Sequence, residues 1–150
     1  MSFSAIFQNM ALIAGLAAWA LAQLMKLPID YLQTHKWNWS LLLTTGGMPS
    51  SHSALVTATT LAIGLYYGFD DPAFAIGVVI TMVVTYDAAG VRHQTGIHAQ
   101  RINVLFEELM RGHPVTEQDL REVLGHTPLE VVGGIILGVV VAIVQWMIWK

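Results

Sequence analysis

The chain has 150 residues, room for one compact domain and hardly two. It is 55% hydrophobic and only 11% charged, whereas a soluble domain is about 25% charged, so a water-soluble protein is excluded and an integral membrane protein is expected. The absence of cysteine excludes disulfides and thiolate catalysis, and a net charge of −3 with no basic stripe excludes nucleic acid as a partner. Residues 1–25 carry no charge and lack the positive start of a signal peptide, so they read as a retained span.

A membrane crossing takes about 20 apolar residues, and four stretches qualify in chain order. The first runs from about Ser4 to Met25. A polar and aromatic loop follows from Lys26 to Met48, with Pro28, Trp37 and Trp39 suited to an interface. The second span opens near Ser51 and runs to about Phe69. Asp70-Asp71-Pro72 makes a tight turn into the third, Pro72 to Ala89, predicting an antiparallel hairpin. Gly90 to His126 is the charged part of the chain. Within it, residues 96–110 carry Ile97, Ile102, Leu105, Phe106, Leu109 and Met110 at helical spacing, predicting an amphipathic surface helix ended by Gly112-His113-Pro114. Thr116 to Leu124 reads as a short capped helix stopped by Gly125. The fourth span opens at Pro128 and ends near Trp149. The expected fold is an all-α membrane bundle of four transmembrane helices plus one or two short surface helices, forming a single embedded domain over residues 1–150.

Lysine and arginine positions give the orientation. Of the seven, Lys26, Lys36, Arg92, Arg101, Arg111 and Arg121 fall in the two loops that share a face, and only Lys150 lies opposite. The positive-inside bias makes that face cytoplasmic, in a multi-pass protein of a bacterial plasma membrane or its equivalent.

Two histidine motifs fall on the same face. Gly47-Met48-Pro49-Ser50-Ser51-His52-Ser53 precedes the second span and Gly125-His126-Thr127-Pro128-Leu129-Glu130-Val131 precedes the fourth. A helix N-terminus offers unpaired N–H groups and a positive dipole end to an anion. A histidine there can attack or move a proton near neutral pH. Phosphate chemistry at a membrane face is the expectation.

These motifs resemble the type 2 phosphatidic acid phosphatase superfamily, which includes vanadium haloperoxidases, and more closely its divergent acid phosphatase/haloperoxidase-related branch. That superfamily carries Lys-x6-Arg-Pro, Pro-Ser-Gly-His and Ser-Arg-x5-His-x3-Asp. Pro49-Ser50-Ser51-His52 resembles the second signature, with serine for glycine. His126 and Glu130 resemble the end of the third, with Glu for Asp, and Arg92 in Asp87-Ala88-Ala89-Gly90-Val91-Arg92 supplies its arginine. Lys26 matches the first lysine, but Gln33 stands seven residues on and no Arg-Pro follows. His98 sits at the Arg-x5-His spacing and is the rival of His126, although Ile102 stands where its acid would be.

The resemblance implies that His126 attacks phosphorus, Glu130 holds its ring, and His52 protonates the leaving oxygen. Arg92 and Lys26 neutralise the phosphoryl oxygens, with Ser50 and Ser51 as added donors. It implies a phosphorylated membrane lipid as substrate, no metal or other cofactor, and vanadate as a transition-state mimic. Two other readings stand beside this one. A non-catalytic member would bind a phosphorylated lipid or a protein partner, and a scaffold or transport protein would pair Asp87 with Arg92. The oligomeric state is left open.

Structural roles accompany each site residue. Thr127-x-x-Glu130 is also a capping box with Pro128 at its first position. Ser50 and Ser51 serve as N-caps. Asp87 pairs with Arg92 or Lys26, Arg92 anchors the inner face, and Lys26 snorkels. His35, His93 and His113 read as solvated loop residues. Gly133, Gly134 and Gly138, with Ala5, Ala14, Gly15, Ala17 and Ala18, read as packing surfaces.

Overall fold

A computed structural model describes residues 3–43, 46–109 and 126–150, and their side chains except those of residues 3, 43, 91–93, 95, 99, 100 and 107–109. A 3-10 turn over Phe3–Gln8 leads into α1, Met10–Thr34, which Asn9 caps by accepting the Leu12 N–H at 3.0 Å. The first span therefore starts and ends later than the expected Ser4 to Met25. Lys26 does not mark its end, because that side chain is buried and Leu27, Ile29 and Tyr31 carry the helix on through Pro28. His35, in the left-handed region at φ 54°, closes it by donating its N–H to the Tyr31 carbonyl. The following loop holds a short 3-10 turn, Trp39–Leu43.

α2 covers Ser51–Tyr67, with Ser50 as N-cap, and turns at Gly68. α3 covers Pro72–Ala89 as expected; Asp71 accepts the Ala73 N–H at 2.7 Å and Pro72 fills a position whose N–H would be spare. The amphipathic segment begins earlier than residue 96: α4 runs Val91–Leu109, nearly continuous with α3. The short helix expected over Thr116 to Leu124 lies outside the described residues. α5 covers Pro128–Trp149, also as expected.

α2 is the central element, touching α1, α3 and α5. Small residues at helical spacing allow this. Ala54, Ala58 and Ala62 on α2 meet Ala11, Ala14, Ala18 and Ala22 on α1, and Gly134, Gly138 and Ala142 on α5 extend the same buried core. A Cβ on Gly138 would lie 2.6 Å from the Ala54 carbonyl oxygen, and one on Gly134 would strike the Ser50 carbonyl oxygen. The backbones of α2 and α5 are therefore in direct contact, as helices without a hydrophobic driving force require. Ala5, by contrast, is exposed.

α1 and α3 run antiparallel to α2, whereas α5 runs parallel to it. Gln145 Nε2 ties the end of α5 to the Met10 carbonyl at 2.8 Å. α3 is held by a Thr60–Thr81 hydroxyl bond of 2.9 Å, and Ala88 is its only buried residue. α4 packs on α3 and on no other described helix. Every described element is helical, and α1, α3 and α5 are each long and apolar enough to cross a membrane. The protein is an all-α membrane protein.

The two adjacent glycines of α5 should respond differently to a methyl group. Gly134→Ala is expected to cost about 1–3 kcal/mol, because rigid backbone opposes the added carbon. Gly133→Ala meets only the flexible Met48 side chain and the Pro49 ring at 3.2 and 3.6 Å, and should stay within about 0.5 kcal/mol of the parent. Thermal unfolding in detergent separates the two.

Candidate functional site

α2 and α5 begin side by side. The Ser50 N–H donates to the Glu130 main-chain oxygen at 2.9 Å, so the cap of one helix is fastened to the first turn of the other. Being parallel, the two helices bring their positive ends to one place.

His126 sits just before the α5 cap and is 5% exposed. Its Nδ1 lies 2.8 Å from Glu130 Oε2. The same carboxylate oxygen accepts the Thr127 N–H at 3.3 Å, and Thr127 Oγ1 accepts the Glu130 N–H at 3.4 Å. One carboxylate thus completes the capping box and orients the imidazole. In the neutral ring, a proton on Nδ1 facing the carboxylate leaves the Nε2 lone pair free. That assignment follows from the hydrogen-bond network. Nε2 is buried and has no hydrogen-bond partner among the described residues. A buried acceptor without a partner costs free energy.

The His52 ring stands on the first turn of α2, exposed, with its centroid 6.5 Å from that of His126 and its plane tilted by 57°. The imidazoles of the two motifs therefore share one space. Lys26 enters from α1. It is 1% exposed, its stem runs beneath Gly47, and its charge is attracted to Glu130. A Cβ at Gly47 would lie 3.7 Å from Lys26 Cδ, and Gly47 also adopts φ +90°, a conformation that glycine takes without strain. The Met48–Pro49 bond that follows is cis. Ser50 Oγ accepts from the Ser53 N–H at 3.3 Å and from Ser53 Oγ at 3.0 Å, so it is engaged in capping. Ser51 is buried in the first turn of α2.

Of the residues expected from sequence, Lys26, Ser50, Ser51, His52, His126 and Glu130 gather at this end of the bundle. Arg92 lies in the first turn of α4, and its side chain is outside the described set. Asp87 is half-buried two residues before the end of α3. His98 is exposed on α4, which packs on α3 rather than on the helices that carry His52 and His126. His35 is the exposed α1 cap, edge-on to Tyr31. The side chain of His93 and the whole of His113 lie outside the described residues. Three features escaped the sequence reading: the roles of Ser53 and Gly47, which stand at the two ends of the first motif, and the Ser50–Glu130 backbone bond. Ser53 could have been found from its i+3 spacing to the cap, and Gly47 from its place before Pro49. The backbone bond joins residues 80 apart and leaves no sequence signal.

Among the described residues, no three His, Asp or Glu side chains are grouped to hold a metal ion. The arrangement offers an oriented nitrogen lone pair, a second imidazole within reach of the same bound group, a buried cation and two helix N-termini. These suit an anionic centre that accepts a nucleophile.

A family model described as the divergent PAP2 family matches residues 7–141. An uncharacterized membrane protein, YuiD of Bacillus subtilis (strain 168), is 36% identical over 150 residues, covering 93% of this chain and 95% of its own. No solved structure gives a significant match. With nine-tenths of its length matched and both histidine motifs inside the matched region, the chain belongs to the divergent PAP2 family.

Proposed function

We propose that this protein is a membrane phosphatase that hydrolyses a lipid phosphomonoester through a phosphohistidine. The observation that carries this reading is the buried, unpartnered Nε2 of His126, whose other nitrogen is held by Glu130 beside the His52 ring. The Nε2 lone pair forms a bond to phosphorus as the P–O bond to the lipid breaks, and the departing oxygen takes a proton from His52. Glu130 stabilises the ring as it gains positive charge, as a carboxylate does in a triad. Water then attacks phosphorus, the N–P bond breaks, and His52 receives the water proton. Lys26 and the N-termini of α2 and α5 balance the phosphoryl charge throughout. Arg92 completes that set from α4, and Ser50 and Ser51 shape its floor. Asp87 positions Arg92 from the end of α3.

In this reading α2 also crosses the bilayer, giving four spans, because it is the antiparallel partner of α3 and the core of the bundle. The site faces the cytoplasm, where six of the seven Lys and Arg residues lie. Asp70→Cys, placed in a chain that has no cysteine, should react with an impermeant maleimide from the opposite side only. Reaction from the cytoplasm inverts the orientation.

Purified protein in detergent should release phosphate from a lipid phosphate without added metal, and vanadate should inhibit it. His126→Ala and His52→Ala should each lower turnover by at least about 10²-fold. Turnover that persists in both variants refutes the mechanism. Lipid phosphate that raises the melting temperature of the parent without phosphate release would instead mark a binding protein. That second reading is favoured by Gln33, which stands where the related phosphatases carry arginine.

The two jobs of Glu130 can be separated. Thr127→Ala removes the cap and should cost about 1 kcal/mol in thermal unfolding while sparing turnover. Glu130→Gln keeps a side chain that can still cap, but should lower turnover by about 10²-fold or more. Equal effects of both variants on turnover would make Glu130 a cap alone.

A further inference from the structure

A groove of about 330 Å³ lies along the seam between α2 and α3, open on one side and lined by Leu55, Val56, Thr59 and Ile63 of α2 and by Ile76 and Ile80 of α3. Its place relative to the histidines is set by helix geometry. His52, Leu55, Val56, Thr59, Thr60 and Ile63 follow the i, i+3, i+4, i+7, i+8, i+11 pattern of a single helix face. His52 therefore heads the face whose lower part floors the groove. From residue 52 to residue 63 the helix rises about 17 Å. One leaflet of a bilayer is about 15 Å of hydrocarbon. The groove thus starts one turn below the exposed imidazole, and with α2 crossing the bilayer as proposed it would end near the membrane midplane.

Two further observations fit an occupant from the bilayer. α3 leaves its apolar side chains Ile76, Val79, Ile80 and Val83 uncovered by protein, so the open side of the groove faces lipid. The helix pair is pinned above and below the wider part of the seam, by Thr81 against the Val56 carbonyl at 3.2 Å and by Phe74 and Phe69 beside Gly64. Between these points Gly77 lets α3 come close to Thr60, which also bonds to Thr81, so the groove is a fixed furrow beside the helix contact.

We infer that the groove between α2 and α3 holds one hydrocarbon chain of a phosphorylated amphiphile whose headgroup lies between His52 and His126. This rests on the proposed phosphate site and adds to it a location for the tail. The headgroup gives phosphate selectivity, and van der Waals contact along the groove orients the chain, because a tail that comes from the bilayer is already out of water.

The test uses the full chain in detergent and a hexadecyl phosphate carrying a photoreactive diazirine at mid-chain. Adducts mapped by mass spectrometry should fall on α2 and α3 at Leu55, Val56, Ile63, Ile76 and Ile80. Excess hexadecyl phosphate should displace them, and hexadecanol should not. Ile76→Trp fills the groove and should lower adduct yield about tenfold, as a loss near 1.4 kcal/mol would, whereas Ile136→Trp on the exposed face of α5 should not. Adducts spread equally over Ile136 and Val140, or displaced as well by hexadecanol, overturn the inference and make the groove an ordinary lipid contact. Groove residues untouched by the probe, with Ile76→Cys forming a disulfide-linked dimer, assign the seam to a second copy and also overturn it. Phosphate release, measured on the same samples, is scored separately. Phosphate-selective groove adducts without release uphold the tail site and refute the phosphatase. Release with adducts elsewhere does the reverse.

Discussion

Glu130 joins three parts of the molecule. Its main-chain oxygen accepts the Ser50 N–H, and its carboxylate accepts both from the Thr127 N–H and from the His126 ring. The first bond fixes α5 against α2, the second starts α5, and the third sets which nitrogen of His126 faces the site. Remove the residue and the relative height of the two helices, the cap and the tautomer lose a shared support. The remaining geometry depends on this because 6.5 Å between imidazoles survives only if neither helix slides along the other by a fraction of a turn.

The small-residue core is what lets a single residue have this reach. Ser50 can bond to the first turn of α5 only when the two backbones touch, and they touch because Gly134 and Gly138 present no side chain to Ser50, Ala54 and Thr57. In a membrane, packing of this kind replaces the hydrophobic drive that would hold a soluble bundle. The outcome is an uneven protein. α1, α2 and α5 form a dense unit with the polar end residues Lys26, Ser50, Ser51, Ser53 and His126 buried in it. α3 leans on one side of that unit, and α4 packs on α3 alone among the described helices. Groups that must hold position sit on the dense part, and the looser seam beside them is where an open groove persists.

The boundaries of α3 and α5 were legible because each begins with a cap and a proline, Asp71-Pro72 and Thr127-Pro128, signals that act within four residues. The meeting of the two histidine motifs at one end of the bundle was legible too, since each motif precedes an apolar run and the runs between them alternate in direction. α1 was misread at both ends. Lys26 and Pro28 look like a helix end, yet the bundle buries the lysine beneath Gly47 and the helix tolerates the proline, a tertiary effect that local sequence does not encode. The start of α4 was misplaced because Gly90 reads as a breaker, although its N–H still bonds to the Tyr86 carbonyl. The contact between α2 and α5 is a property of residues far apart in the chain, and only the spacing of Gly134 and Gly138 hinted that something approaches there.

The parallel pairing of α2 and α5 has an electrostatic cost that the site turns to use. In a simple up-and-down bundle, neighbours are antiparallel and their dipoles offset each other. Here the α2–α3 hairpin returns the chain to the motif face, and α5 starts beside the start of α2. Two positive helix ends then repel across a short gap. Glu130 lies in the first turn of α5 and answers part of that field, but Lys26 adds positive charge to the same region. A tetrahedral phosphoryl group would relieve the repulsion between the two helix ends and supply the partner that His126 Nε2 lacks. Under the proposed function the buried nitrogen and the crowded dipoles are two expressions of one arrangement, and a bound phosphoryl group would meet both.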